Sequence, residues 1–271
     1  MQNDDRLSWL RRSLFSLLPK VALSRTTGVV TRIPLPRALR APAFRAFARR
    51  YGAALDELDA PLDSFRSLAA FFQRPLRAGA RPVADAPLVD ACDGRIVSSG
   101  PIDAGRIEQI KGVDYTVAEL LGDAASAAAL HDGSQSTVYL APGDYHRVHA
   151  PFDSTITAIR ALPGTLFPVN QAAVRSFPRL FVRNARVVFE ARLDDGRTGA
   201  VVMVGALNVG LIHRSVAVGT RVRRGDEVGR FGFGSTAVSL VARGSSAFWA
   251  RTPGTVVRMG GAAAAQAGAG Q

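Results

Sequence analysis

At 271 residues with 47% hydrophobic side chains, the chain can bury one large core, alone or with an appendage, which excludes global disorder. Its net charge of +12 is concentrated at the N-terminus, where residues 1–50 carry eleven basic side chains against Asp4 and Asp5. A single cysteine, Cys92, excludes an internal disulfide framework and a cysteine-rich zinc site, and suits a reducing compartment.

Residues 5–18 predict an amphipathic helix. Leu7, Leu10, Leu14 and Leu17 recur at helical spacing, Trp9, Phe15 and Leu18 widen the apolar face, and Arg6, Arg11 and Arg12 flank it. Pro19 ends the pattern. Such a helix either lies in a membrane interface or packs on its own domain. The basic arm suits nucleic acid or an anionic membrane, and no reading module or stacking aromatics accompany it, so nucleic acid is not expected. Asp4 and Asp5 interrupt any basic leader, so no signal peptide is expected. No apolar run reaches the roughly eighteen residues of a membrane span.

After the break at Pro34 and Pro36, residues 43–54 and 63–74 predict two more helices, with Phe44, Phe47, Phe65, Leu68, Phe71 and Phe72 on their apolar faces. From about residue 86 the character is β. The runs 137–140, 154–161, 186–192, 200–205 and 208–214 are rich in β-branched residues and punctuated by Gly, Pro and Asp. Residues 114–121 predict a helical interruption. Two stretches, 149–156 and 218–228, resemble the turns of lipoyl-type barrel-sandwich domains, without the lysine that a carrier would need. The expected fold is therefore α+β. It has an N-terminal helical, membrane-associating region (1–78), a mainly antiparallel β domain of barrel-sandwich character (79–258), and a disordered Ala/Gly-rich tail (259–271).

Chemistry-bearing residues are few. Gly234-Ser235-Thr236 joins two apolar, strand-like runs. A phosphate loop would need a lysine before the serine and a helix after it, but Phe233 and a strand pattern stand nearby. A nucleophile elbow would need glycine at Ala237. What remains is a serine preceded by glycine, either a turn or a site of backbone chemistry. Of four histidines, His131 and His213 read as structural or exposed. The other two lie in Asp144-Tyr145-His146-Arg147-Val148-His149. A zinc site would need a third ligand at useful spacing, for which only Asp144 is conceivable, and no metal is expected. Asp93-Gly94 reads locally as a hairpin turn. Together these strand ends offer a carboxylate, a base and a nucleophile.

Asp93-Gly94, Lys111-Gly112-Val113-Asp114-Tyr115, the His146/His149 stretch and Gly234-Ser235-Thr236 occur in the order found in bacterial phosphatidylserine decarboxylase proenzymes, which the chain resembles over roughly residues 5–258. Phe71-Phe72-Gln73-Arg74-Pro75-Leu76-Arg77 and Pro163-Gly164-Thr165-Leu166-Phe167-Pro168-Val169-Asn170 are similar to further signatures of that family. Two features depart from it: Phe233 replaces the usual Leu or Met, and the segment between His213 and Gly229 is shorter than in some members. The resemblance implies a self-processing, pyruvoyl-dependent decarboxylase that converts phosphatidylserine to phosphatidylethanolamine and CO₂. It implies that Ser235 attacks the carbonyl of Gly234, with His149 as base and Asp93 orienting it. The products are a β chain (1–234) and an α chain (235–271) that stay together as a heterodimer, with further dimerisation allowed. Ser235 would become the pyruvoyl cofactor and Schiff-base centre, and His146 the proton donor or substrate contact. Phosphatidylserine in an anionic membrane is the implied partner, and the cytoplasmic face of the cell membrane the implied location, held peripherally. A lipoyl-like binding module and a serine hydrolase are the alternatives, and both predict an uncut chain.

Overall fold

The computed structural model describes residues 29–110, 112–206, 212–232, 235–244 and 248–265. The helix expected over 5–18 lies outside the described residues. The helix α1 (Arg37–Tyr51) starts a turn and a half earlier than expected and ends at Gly52 in the left-handed region. Its Phe44 stacks on Phe71 at 4.7 Å, and with Phe65 they form a small aromatic core of their own. The helix expected over 63–74 is shorter. Residues Leu62–Ser64 make one 3₁₀ turn, and α2 (Leu68–Phe72) starts where the Ser67 hydroxyl accepts the Ala70 amide.

The helix expected over 114–121 is half strand. β2 (Arg106–Ile110) pairs with β3 (Val113–Thr116), and only then does α3 (Val117–Leu121) begin. Val113, Tyr115 and Thr116 favour the pleated surface, and a capping box between Thr116 and Glu119 fixes the start of the helix. Three short helices follow in the chain, α4 (Ala124–Ala128), α5 (Gln171–Ser176) and α6 (Leu180–Arg183).

An eight-stranded antiparallel sheet carries the main core, which makes the class α+β with the β part dominant. At its centre β12 (Ser235–Val241) lies between β4 (Ser134–Leu140) and β8 (Thr198–Gly205), with seven residue pairs on each side. Every residue of β12 is buried, so its apolar run reads continuously rather than alternating. Beyond β8 come β7 (Arg186–Leu193), β6 (Ser154–Leu162) and β10 (Arg221–Val222); beyond β4 come β1 (Gly94–Pro101) and β14 (Val256–Val257). A second sheet has β11 (Glu227–Phe231) between β5 (Arg147–His149) and β9 (Ile212–Arg214). The two look-alike turns meet: Val222 pairs with Ser154, and Ala150 exchanges backbone bonds with Gly225 and Asp226.

Residues 259–265, assigned above to a disordered tail, are packed. Met259 and Ala263 are buried, and the stretch bonds backbone to backbone with Ala84, Leu88 and Asp90. Small side chains there allow close approach of two backbones, which composition alone reads as disorder. Residues 266–271 lie outside the described residues.

Asp90, in this seam, is buried 3.5 Å from Arg251, and burial raises its carboxyl to about 6. A carboxyl whose folded value lies above its ordinary 3.8 favours the fold at low pH. That contribution is complete below about pH 4 and is lost as pH rises through 6. Asp90→Asn is therefore expected to flatten the stability profile between pH 4 and 7 and to gain up to about 3 kcal/mol at pH 8. Urea unfolding at pH 4, 6 and 8 checks this, and an unaltered slope would refute it.

Candidate functional site

Ser235 is the first residue of β12, opposite Leu140 on one side and Gly205 on the other. Among the described residues its buried hydroxyl has no hydrogen-bond partner, and neither has that of Thr236. Gly234 and Phe233 lie outside the described residues. Native interiors leave few polar atoms unsatisfied, because each costs about 1–3 kcal/mol, so adjacent orphans mark a place for chemistry or for a ligand.

Asp93 stands at the same end of the sheet. Arg95 pairs with Tyr139, the neighbour of Leu140, so Asp93 and Ser235 are two strands apart, roughly 10 Å at the usual strand spacing. The Asp93-Gly94 step is a close strand crossing rather than a hairpin turn. Gly94 has φ +152°, and a Cβ there would run into the Tyr139 carbonyl.

Both histidines are held by backbone carbonyls. In His146, Nδ1–H donates to the Asp144 carbonyl at 2.9 Å, leaving a lone pair on Nε2, which is buried with no partner. Phe72 packs on its ring at 3.8 Å between centroids. Burial, aided by the nearby Arg74 cation, drives its pKa down to about 3, so the ring is neutral. In His149, Nδ1–H donates to the Gly225 carbonyl at 2.7 Å, and Nε2 faces the Tyr145 hydroxyl at 3.3 Å. Its pKa is lowered, chiefly by burial, while the charges of Glu227 and Asp93 work in the opposite direction.

The backbone register distinguishes the two rings. The Phe231 amide donates to the His146 carbonyl, four residues before Ser235, whereas His149 pairs with Glu227 at the far end of β11. The His149 amide donates to Ala91, which brings it within two residues of Asp93. Asp93 itself is engaged elsewhere. Its carboxylate accepts from Nε and Nη2 of Arg81 and from the Met259 amide at 2.9 Å. Arg81 also pairs with Glu57, and Glu57 with Arg258. Glu57 is held below the ordinary carboxylate range, first by its bond to Arg81. The predicted residues thus gather at one sheet end, yet Asp93, His149 and Ser235 are not hydrogen-bonded to one another.

Sequence reasoning missed Arg81 and Glu57, and it gave no role to Gly225, which lies in the 218–228 stretch. Arg74 it quoted within a signature and gave no role. The Arg74 guanidinium is buried, gives Nη2 to the carbonyls of Gly143 and Asp144, and so anchors the turn that presents His146. Among the described residues, no three His, Cys, Asp or Glu side chains are grouped to hold a metal ion.

The sequence model of the family described as Phosphatidylserine decarboxylase matches residues 68–265. A phosphatidylserine decarboxylase proenzyme of Anaeromyxobacter sp. (strain K) is 42% identical over 270 residues, covering 92% of this chain and 95% of that one. The proenzyme of Myxococcus xanthus is 39% identical over 246 residues, 84% and 87% of the two chains. That of Xanthomonas euvesicatoria pv. vesicatoria is 43% identical over 238 residues, 80% and 85% of the two chains.

Proposed function

Because the chain belongs to the phosphatidylserine decarboxylase family, we propose that Ser235 is the residue at which it cuts itself and on which its decarboxylation then depends. The enzyme converts phosphatidylserine to phosphatidylethanolamine with release of CO₂, a step of phospholipid synthesis. The observation that carries the assignment is the buried, unpartnered Ser235 hydroxyl at the sheet end where Asp93, His146 and His149 gather. Intact-mass analysis under denaturing conditions tests it.

Ser235 Oγ gives its proton to a base and attacks the carbonyl carbon of Gly234; the C–N bond breaks, the amine takes a proton, and an ester results. Loss of the Ser235 α-proton then breaks the C–O bond, leaving Gly234 as a carboxylate and residue 235 as dehydroalanine. Water hydrolyses its imine tautomer to ammonia and a pyruvoyl terminus. We assign the base to His149, whose Nε2 carries the lone pair because Gly225 holds Nδ1–H. The Gly225 carbonyl takes the orienting task, and Asp93 acts through its charge, favouring the imidazolium without touching the ring.

The residues present fit a pyruvoyl group at position 235: Thr236 Oγ1 and His146 Nε2 are buried polar atoms awaiting a partner. When in place, that group supplies the electron sink that decarboxylation of an α-amino acid requires. His146 is assigned to proton handling at Nε2, kept neutral and in one tautomer by burial and by Asp144. The α and β chains are read as a heterodimer, joined by the Met259–Asp93 and Arg258–Glu57 contacts.

Membrane docking is assigned to the amphipathic segment 5–18, on the cytoplasmic face. Among the described residues no helix is long and apolar enough to cross a membrane. Leucines in an interface contribute at most about 1.5–3 kcal/mol each, and each arginine near an anionic leaflet about 1 kcal/mol, enough for peripheral binding. Changing Leu10 and Leu14 to Ser is expected to abolish sedimentation with phosphatidylserine vesicles while self-cleavage and Tm hold. Unaltered sedimentation, or a collapsed Tm, would place the helix in the core instead.

A further inference from the structure

Asp93 is caged from two sides by stretches that touch each other. On one side, Arg81 gives Nε to both carboxylate oxygens, at 2.9 and 3.1 Å, and Nη2 to Oδ2. On the other, the Met259 amide donates to Oδ1 at 2.9 Å. Both oxygens are thus engaged and the residue is buried, so these partners set where its charge stands. The two suppliers are docked on one another. The Ala84 amide donates to the Gly260 carbonyl, and a Cβ on Gly260 would run into the Pro82 carbonyl. Glu57 ties their side chains together, accepting Arg81 Nη2 on Oε2 at 2.8 Å and Arg258 Nη1 on Oε1 at 3.1 Å.

These parts come from opposite sides of the cut. Glu57, Arg81 and Asp93 precede Ser235, whereas Arg258 and Met259 follow it, beyond the whole of β12. Gly94 pairs with Val257, so the edge pairing of β1 with β14 is what carries residues 258 and 259 to Asp93. The charge of Asp93 acts on His149, whose amide is bonded to Ala91, two residues away. In a poorly screened interior that action depends strongly on where the charge stands. A carboxylate held by neither Arg81 nor Met259 would be free to turn away from the ring.

We propose that Arg81 and the Met259 amide are positioning groups for the self-cleavage, and that the cut therefore waits until residues 258–261 have docked. This rests on the reading of Ser235, His149 and Asp93 given above. Arg81 acts through Asp93 rather than on the reacting atoms, and Glu57 holds it in place. A chain whose last turn is undocked leaves the carboxylate half-caged and stays whole. The sheet is thus complete before it loses its covalent link.

Residues 258–261 form a turn closed by the Gly261 amide on the Arg258 carbonyl at 3.0 Å, with Gly260 at φ +83° in its third position. Such a type II turn accepts proline in its second position, so Met259→Pro suits the backbone while removing the amide that holds Asp93. Met259→Ala gives up the buried side chain and keeps the amide. Full-length chains are pulse-labelled in cell-free synthesis, and the fraction cut is followed on denaturing gels. Met259→Pro is expected to be cut at least about tenfold more slowly than Met259→Ala, the loss of one hydrogen bond to a charged acceptor. Arg81→Gln is expected to be cut at least about tenfold more slowly than wild type. In Asp93→Asn, itself slow, adding either Met259→Pro or Arg81→Gln should cost less than about twofold more, since groups acting through one carboxylate are not additive. Equal rates in the two Met259 variants overturn the proposal. Losses that persist undiminished in Asp93→Asn also overturn it, because they mark general damage. A faster cut in Arg81→Gln does the same, since the arginine would then restrain Asp93. If Arg81→Gln melts far below wild type, the Met259 pair decides alone. A wild type that stays whole sinks the self-cleavage reading, and this proposal with it.

Discussion

Replacing Ser235 with alanine is expected to leave one 28.7 kDa chain without decarboxylase activity, where the wild type is expected to run as chains of 234 and 37 residues. The effect should be complete rather than graded, because the hydroxyl is proposed both as the nucleophile of the cut and as the source of the new terminus. In the wild type the smaller chain should resist Edman degradation, since a ketone would replace its amine. The fold survives the change. Ser235 Oγ makes no hydrogen bond to the described residues, so its removal breaks none there, and Tm should move by no more than about 3 °C. Normal cleavage in the alanine variant would remove Ser235 from the mechanism, and with it the cofactor.

The second large effect separates the two histidines. His149→Ala is expected to accumulate folded, uncut chain, as loss of a general base costs ~10²–10⁴ in rate. His146→Ala is expected to split normally and then decarboxylate at least about a hundredfold more slowly, because its Nε2 is a buried imidazole nitrogen with no partner among the described residues. A gel and a CO₂-release assay on the same preparations read both steps. The opposite pattern, with His146→Ala uncut and His149→Ala split but inactive, would exchange the roles. The backbone register gives that outcome a definite meaning, since β11 reaches Ser235 from the His146 end. Asp93→Asn should slow the cut rather than stop it, because its charge acts on His149 at a distance.

The strands were legible because burial on both faces leaves an unbroken apolar signature, as in Ala237-Val238 and in Val201-Val202-Met203-Val204. The site residues were legible because side-chain chemistry is written in the residue type: an aspartate, two histidines and a serine at strand ends. What they bind to was not. The acceptors for His146 and His149 are carbonyls of Asp144 and Gly225, and every residue carries a carbonyl. Arg81 reaches Asp93 and Glu57 across 12 and 24 residues of chain, distances over which no local period survives. Residues 114–116 misled because Asp114 and Thr116 sit where a helix N-terminus is also plausible, and only pairing with β2 settles the strand. Small residues at 260–265 carry no pattern that separates a loose tail from a snug seam.

The position of β12 bears on how the molecule can be taken apart. A cut ahead of Ser235 severs the chain at the edge of its innermost strand, and the 37-residue piece keeps β4 on one side and β8 on the other. It is also sewn to residues 84–96 through Gly254, Thr255, Gly260, Gly261 and Ala263. The fragment cannot leave without opening the sheet, so such a cut would create two chain ends and free no domain. Reversal is another matter. Before the cut, an unfolded chain finds β12 tethered to β11 by three residues, an encounter within one molecule. After it, the same insertion becomes a meeting of two solutes while β4 and β8 present bare apolar edges to each other and to neighbours. An enzyme cut ahead of Ser235 would thus be durable for kinetic reasons and have one assembly in its life, made before it became two chains.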